Sequence, residues 1–229
     1  MRTRPIELTA SGLETTPDGG APDFDLAGNR PGQSLRRKAE LAKRAAPVRS
    51  LLARIVFVHS HERAWRLGAD GEEKVGRALE KLTRLDGAWR VLHSLPVGTR
   101  GSDIDHLVIG CGGVFSLNTK NHPGARIWVG ASTFMVNGAR QPYLRNSRHE
   151  AERASRLLSA ACGFPVDVTG IVVPVNADDV VIKTAPADVH VMNRRQLVRW
   201  LRRKPAHLDT ATIDAIFDAA RRSTTWQPA

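Results

Sequence analysis

The sequence predicts an α/β fold in which helices flank a mixed central sheet. Three observations predict it: a helical pattern begins at residue 71, three extended segments follow it, and a further helix precedes the next strand. In a doubly wound nucleotide-binding fold each strand alternates with a helix, so this order excludes that class. A chain of 229 residues suits one main core with extensions.

The N-terminal part of the chain is predicted to lie outside this core. Residues 1–33 are rich in Thr, Pro, Gly and Asp without a regular apolar period, which is typical of a disordered tail. Residues 34–67 form a basic helical extension of two helices broken near Pro47. Between Arg30 and Arg66 there are ten basic and two acidic residues, a local charge of +8. This stretch is either an arm that binds nucleic acid or a solvated helix that docks on the domain.

The α/β domain is assigned to residues 68–204, followed by a C-terminal helix and tail over 205–229. Glu72, Val75 and Leu79 recur at helical spacing and share one face. Alternating patterns then predict strands at 89–95, 103–109 and 114–120, the last two joined as a hairpin by the glycines of 110–113. The remaining predicted elements are a hairpin of 126–129 with 133–136, a helix at 147–161, strands at 168–173 and 189–192, and helices at 194–203 and 210–222.

Charge and composition narrow the classes of function. The chain has 34 basic and 23 acidic residues, a net charge of +11. This charge favours a polyanionic partner. The alternative is a basic, solvated surface whose arginine content reflects codon bias. No apolar stretch approaches the roughly 18 residues of a membrane span, so we expect no membrane association. Cys111 and Cys162 are the only cysteines, without CxxC spacing, which excludes a disulfide scaffold and a thiolate zinc site. We expect a protein of a bacterial-type cytoplasm.

Polar side chains inside the predicted hairpin form a candidate metal site. Strict alternation places Asp103, Asp105, Leu107 and Ile109 on one face of their strand and Ile104, His106 and Val108 on the other. On the next strand Asn118 and Lys120 share a face, and Glu72 leaves the preceding helix towards the sheet. A buried carboxylate needs a cation or a donor. Carboxylate and amide oxygens beside a lysine suit a hard divalent cation that holds a phosphate and activates water.

Three motifs together resemble the nuclease-related domain (NERD) family, a branch of the restriction-endonuclease-like superfamily with PD-(D/E)xK sites. They are Gly71-Glu-Glu-Lys-Val75, Ser102-Asp-Ile-Asp-His-Leu-Val-Ile-Gly110 and Gly113-Val-Phe-Ser-Leu-Asn-Thr-Lys-Asn121, and the resemblance spans about residues 71–200. It implies a restriction-endonuclease-like core and hydrolysis of DNA with Mg²⁺ or Mn²⁺. By the same resemblance Glu72, Asp105 and Asn118 are metal ligands and, with the catalytic lysine Lys120, form the catalytic set. RNA is the alternative substrate.

Asn118 departs from the family pattern, which has Asp or Glu two residues before the lysine. An amide offers a metal a neutral oxygen without a charge. Three functions therefore stay open: a metal-dependent nuclease in which Glu72 and Asp105 suffice, a catalytically impaired module that binds nucleic acid or protein, and a hydrolase of small phosphodiesters. Glu150 on the second core helix matches a polar residue of the family, and its alternative is a surface ion pair with Arg153 or Arg156.

Basic residues outside this set are candidates for contacts with nucleic acid. The candidates are Lys38 and Arg44 in the extension and Arg140, Arg145 and Arg148 near the second core helix. A solvated helix face is the alternative for each cluster, and the same ambiguity applies to the acid-free run of six basic residues between positions 194 and 204. His106 is predicted as a buried core histidine, with a contact to the metal site or phosphate as the alternative. Cys111 has no His and Asp partners for nucleophilic catalysis.

Overall fold

The computed structural model describes residues 22–44, 51–97 and 102–227. The helices are α1 (Gln33–Arg44), α2 (Leu51–Leu85), α3 (Tyr143–Cys162), α4 (Arg194–Arg202) and α5 (Thr210–Ala220). The strands are β1 (Arg90–Val97), β2 (Ser102–Gly110), β3 (Gly113–Asn121), β4 (Arg126–Val129), β5 (Phe134–Val136), β6 (Ala139–Gln141), β7 (Val168–Val175), β8 (Asp179–Ile182) and β9 (Val189–Val191). Short 3₁₀ helices cover Leu26–Gly28 and Ser223–Trp226.

A five-stranded mixed sheet in the order β1-β2-β3-β7-β9 forms the centre of the fold. Strands β1, β2 and β3 are antiparallel, and β7 and β9 continue parallel to β3. Helices α2 and α4 pack on one face of the sheet through Val75, Leu79 and Leu197, and α3 and α5 pack on the other through Leu158 and Ile213. The predicted mixed sheet with flanking helices and the predicted β2–β3 hairpin are therefore confirmed.

A second, smaller sheet in the order β6-β5-β4-β8 packs beside the first. Its central β4–β5 hairpin is the one that the sequence predicts. Strands β6 and β8 are three and four residues long and largely exposed, so they carry too little apolar pattern for prediction from sequence. The second sheet shares a core with β7 and β9 through Ile127, Phe134, Val172 and Val189.

The part of the predicted disordered tail that the structure describes, residues 22–33, packs on the domain. Leu26 is 7% exposed, and its amide donates to the Arg221 carbonyl at 2.7 Å. The amide of Phe24 donates to Ser223 Oγ at 2.7 Å. Contacts with residues distant in the sequence thus order a segment whose own composition gives no helical or strand signal.

Helix α2 is longer than the sequence suggests. The second helix of the predicted extension and the first helix of the predicted domain are one helix of 35 residues, because no Pro interrupts the chain between them and Gly68, Asp70 and Gly71 are accommodated within the helix. The break predicted near Pro47 lies outside the described residues. In the described ranges no helix combines the length and apolarity that a membrane crossing needs.

Candidate active site

The candidate site lies where β2 and β3 separate. Their antiparallel pairing runs from Gly110 opposite Gly113 to His106 opposite Leu117 and stops there. One residue further, Asp105 Oδ2 accepts a hydrogen bond from the Thr119 backbone amide at 2.6 Å. The carboxylate of Asp105 therefore replaces a backbone carbonyl as the partner of β3.

The alternation predicted for β2 is interrupted at this point. Ile104 joins Leu107 and Ile109 in one core cluster, whereas strict alternation would place it on the opposite face. The β1–β2 register also omits the pair of Ser94 and Asp105, and Ser94 has a φ of 48°. A local kink in both strands thus changes which side chains share a face, and the prediction of strict alternation is wrong here.

Glu72 approaches the site from α2, on the side where that helix touches β3. At Gly71 an added Cβ would lie 2.9 Å from the Asn121 Cβ and 3.2 Å from the Thr119 Cγ2, so a side chain there would push the helix away. Glu72 is 4% exposed, and its Oε2 accepts a hydrogen bond from the Gly32 amide at 2.9 Å. Burial and then the Asp105 carboxylate raise the pKa of Glu72.

Glu150 reaches the same site from α3 on the opposite side of the sheet. This helix packs closely on β7, since an added Cβ at Gly170 would lie 2.6 Å from Ser147 Oγ. One turn later, Glu150 Oε2 accepts a hydrogen bond from the Asn118 side-chain amide at 3.0 Å. Burial and then Asp105 raise the pKa of Glu150 to about 8. This residue forms no surface ion pair in the described structure, so the interpretation preferred from sequence is wrong.

Lys120 supplies the positive charge of the site. It lowers the pKa of Glu72, Asp105 and Glu150 against the larger upward effect of burial, which places its ammonium group in the field of all three carboxyl groups. Its Nζ lies 5.1 Å from the centroid of the Tyr143 ring. The Tyr143 hydroxyl lies 3.0 Å from His122 Nε2. Tyr143 and His122 thus lie beside the lysine.

Burial dominates the electrostatics of the carboxyl groups. The pKa of Asp105 is raised by burial, with Lys120 and the Thr119 amide acting in the opposite direction. Asp105 also raises the pKa of both Glu72 and Glu150. Asp105 therefore repels both glutamates, and a further cation beside Lys120 would relieve that repulsion.

Two buried oxygens at this site suit a hard cation. Asn118 Oδ1 and Glu150 Oε1 are enclosed and have no hydrogen-bond partner among the described residues. No three His, Cys, Asp or Glu side chains in the described ranges are grouped closely enough to hold a metal by themselves. A site at this position would therefore combine two carboxylates with the Asn118 amide oxygen and water, a donor set that Mg²⁺ and Mn²⁺ accept.

The other predicted residues are distributed around the site. Asp103 forms an ion pair with Lys38 of α1, and Arg148 forms a bidentate pair with Asp188. Arg140 on β6 and Arg145 on α3 are exposed, and the side chain of Arg44 lies outside the described part of the structure.

His106 is fully buried, as the sequence predicts for a core histidine, and its Nδ1 lies 2.8 Å from His93 Nδ1. Burial lowers the pKa of both rings, that of His93 to about 4. The two neutral imidazoles form one donor–acceptor pair within the core.

Sequence reasoning misses Tyr143 and His122 and gives Glu150 too little weight. Tyr143 is the only tyrosine of the chain, two residues after a short strand, but nothing in its surroundings predicts contact with Lys120. For Glu150 a signal exists: it lies three positions after Ser147 and one before Ala151, and both of these small residues are buried. Small residues on one helical face indicate close packing, and an acid beside them is thereby directed towards the sheet.

Comparison with known proteins identifies the family of the segment that carries this site. The sequence model of one family, described as nuclease-related domain, matches residues 67–175. The match includes Glu72, Asp105, Asn118, Lys120 and Glu150, and it ends with β7. No curated protein and no solved structure is significantly similar to the chain.

Proposed function

Residues 67–175 belong to the nuclease-related domain family, and from this membership we propose that the protein is a nuclease that hydrolyses phosphodiester bonds of DNA with Mg²⁺ or Mn²⁺. The observation that carries the proposal is the meeting of Asp105, Glu150 and Asn118 beside Lys120, with two buried oxygens left without donors. Buried acids that repel one another are costly to keep unless a cation binds them.

We propose Asp105, Glu150 and Asn118 Oδ1 as the metal ligands. Glu150 then replaces the negative charge that the family pattern has at position 118, because it lies in direct hydrogen-bond contact with Asn118. Bound there, a divalent cation would lower the pKa of an attacking water and neutralise charge on the phosphate. Glu72, the ligand predicted from sequence, takes a different role in this proposal: its carboxyl group accepts the Gly32 amide and so connects helix α2 to the N-terminal segment beside the site.

Lys120 is proposed as the contact to the scissile phosphate. Its Nζ lies over the Tyr143 ring, and this contact limits its rotamers. A fixed cation beside the reacting phosphate stabilises the charge that develops in the transition state. The net charge of +11 and the exposed Arg140 and Arg145 favour a polyanionic substrate. Because Cys111 and Cys162 are both free thiols, we place the activity in the cytoplasm.

Cleavage of plasmid and linear DNA with Mg²⁺, Mn²⁺ or EDTA tests the proposal. We expect products only with metal, and losses on the order of a hundredfold or more for Lys120→Ala and Asp105→Asn. Glu150→Gln should lose activity, whereas Glu152→Gln, an exposed acid on the same helix, is the matched control. If all variants and the wild type behave alike and independently of metal, the protein is no metal-dependent nuclease. Faster cleavage of RNA than of DNA would reject DNA as the substrate.

A second candidate function is a nucleic-acid-binding module without catalysis, and Asn118 is the observation that favours it. An amide at this position removes one full charge from the ligand set, which lowers the affinity for a divalent cation. Binding of DNA without products at any concentration of Mg²⁺ or Mn²⁺ would support the module and reject the nuclease.

A further inference from the structure

A groove beside α4 carries basic residues that the proposed active site does not use. It has a volume of about 630 Å³, and its walls are α4 and the chain around β8 and β9. Arg195, Arg199 and Arg203 line it at intervals of four residues, so they form one stripe along the helix. No acidic residue lines this space, which we call the α4 groove.

The arginine stripe has no side-chain partner among the described residues. In the described part of the chain none of the three arginines forms an ion pair or a side-chain hydrogen bond. Like charges four residues apart on a helix repel and destabilise it. An anion bound along the stripe would relieve this repulsion. Four residues of helix rise about 6 Å, so the stripe extends over about 12 Å.

The floor of the α4 groove is apolar and aromatic. Val189, Met192 and Trp200 line it together with His190, whose ring centroid lies 4.6 Å from that of Trp200. Lys204 Nζ lies 4.1 Å from the centroid of the Trp200 ring, so a fourth cation lies close to the groove. An apolar floor between cations suits a ligand that carries flat apolar rings on an anionic backbone. A duplex hides the faces of its bases, whereas a single strand presents them.

The groove is continuous with the edge of the sheet that holds the candidate active site. A neighbouring cavity shares Asn193 and Arg195 with it and reaches Pro174, the residue opposite Lys120 in the β3–β7 register. Asp178 and Asp179 also line that cavity, so its charge is mixed. A strand that passes the candidate active site would thus reach the arginine stripe further along, at α4.

We propose that the α4 groove binds single-stranded DNA, with Arg195, Arg199 and Arg203 contacting phosphates and the Trp200 floor contacting bases. The choice of DNA rests on the proposed nuclease function. The groove itself contains none of the proposed catalytic residues, so strand binding here is separable from cleavage.

Fluorescence anisotropy of the full chain with a labelled 15-nucleotide strand of DNA, in EDTA, tests this inference. We expect the triple variant Arg195→Ala/Arg199→Ala/Arg203→Ala to bind about tenfold or more weakly and to lose about 2 from the slope of log K against log salt, at about 0.7 per single-strand contact. The control Arg77→Ala/Arg84→Ala/Arg202→Ala removes the same charge from exposed positions outside the groove. Equal affinities and slopes for both triple variants would overturn the proposal.

Two further comparisons complete the test. An abasic strand of the same length should bind the wild type more weakly than a normal strand. The triple groove variant should lose less affinity for a duplex than for a single strand. Equal binding of normal and abasic strands would reject contact with bases. If the protein binds single strands through the groove but never cleaves DNA, the proposed function alone is refuted. If it cleaves DNA but the groove variant and its control bind single strands equally, the groove proposal alone is refuted.

Discussion

Replacing Asn118 by Asp tests whether Glu150 completes the metal site. The Asn118 amide lies 3.0 Å from Glu150 Oε2, so Asn118→Asp places two carboxylates at hydrogen-bond distance. Two unit charges 3.0 Å apart repel by about 5 kcal/mol at an effective dielectric constant of 20. Because the pair can retain a shared proton, we expect a smaller loss of unfolding free energy without metal, about 2–4 kcal/mol at pH 8.

Thermal unfolding with EDTA and with Mn²⁺ measures this effect. Without metal the midpoint of Asn118→Asp should be lower by roughly 5–15 °C, and Mn²⁺ should raise it by more than it raises that of the wild type. The double variant Asn118→Asp/Glu150→Gln exchanges the amide and the carboxylate and should recover metal-free stability. If Asn118→Asp is as stable as the wild type in EDTA, or if Mn²⁺ stabilises both equally, the two side chains do not share a cation site.

Three further outcomes follow from buried groups. In metal-free buffer the wild type should lose stability as the pH rises from 6 to 9, because Glu72 ionises in the unfolded chain but keeps its proton in the folded protein, where its pKa is raised. Urea unfolding at each pH should show a smaller loss for Glu72→Gln. The pKa of His93 is lowered to about 4, so its effect on stability has the opposite dependence on pH. Its contribution to the free energy of unfolding is complete above pH 6.5, and about 2 kcal/mol of it is lost by pH 5 because the unfolded histidine binds a proton first. The same titration of His93→Gln should lack this loss. Gly110→Ala would place a Cβ 2.3 Å from the buried Trp89 ring and should cost about 1–3 kcal/mol in chemical denaturation, and unchanged stability would mean that the ring can move aside.

The central hairpin and the family were predictable because their signals are local. The alternating pattern of 103–109 and 114–120, and the glycines between them, specify two paired strands whatever the rest of the chain does. The polar residues of that hairpin then indicated Asp105 and Lys120 as site residues. Their assigned roles in catalysis stay predictions.

The remaining features depend on contacts between distant residues. The kink at Ser94 and Asp105 changes the facing of β2, and it results from the carboxylate taking the Thr119 amide, a partner 14 residues away. The inward direction of Glu150 is set by the packing of α3 on Gly170 of β7. Leu26 is ordered by Arg221, and no pattern within residues 22–33 predicts such a partner.

The contact between the segment around Asp25 and the one around Arg221 has a consequence for how the protein folds during synthesis. Asp25 pairs with Arg221 across 196 positions of the chain, and the segment that begins at Asp25 leads directly to Gly32, whose amide holds Glu72. During translation the anchor for this segment emerges only after the whole α/β domain has left the ribosome. The nascent chain can thus form its central sheet before the N-terminal segment is fastened, and the surroundings of Glu72 are completed late, after most of the domain has already folded.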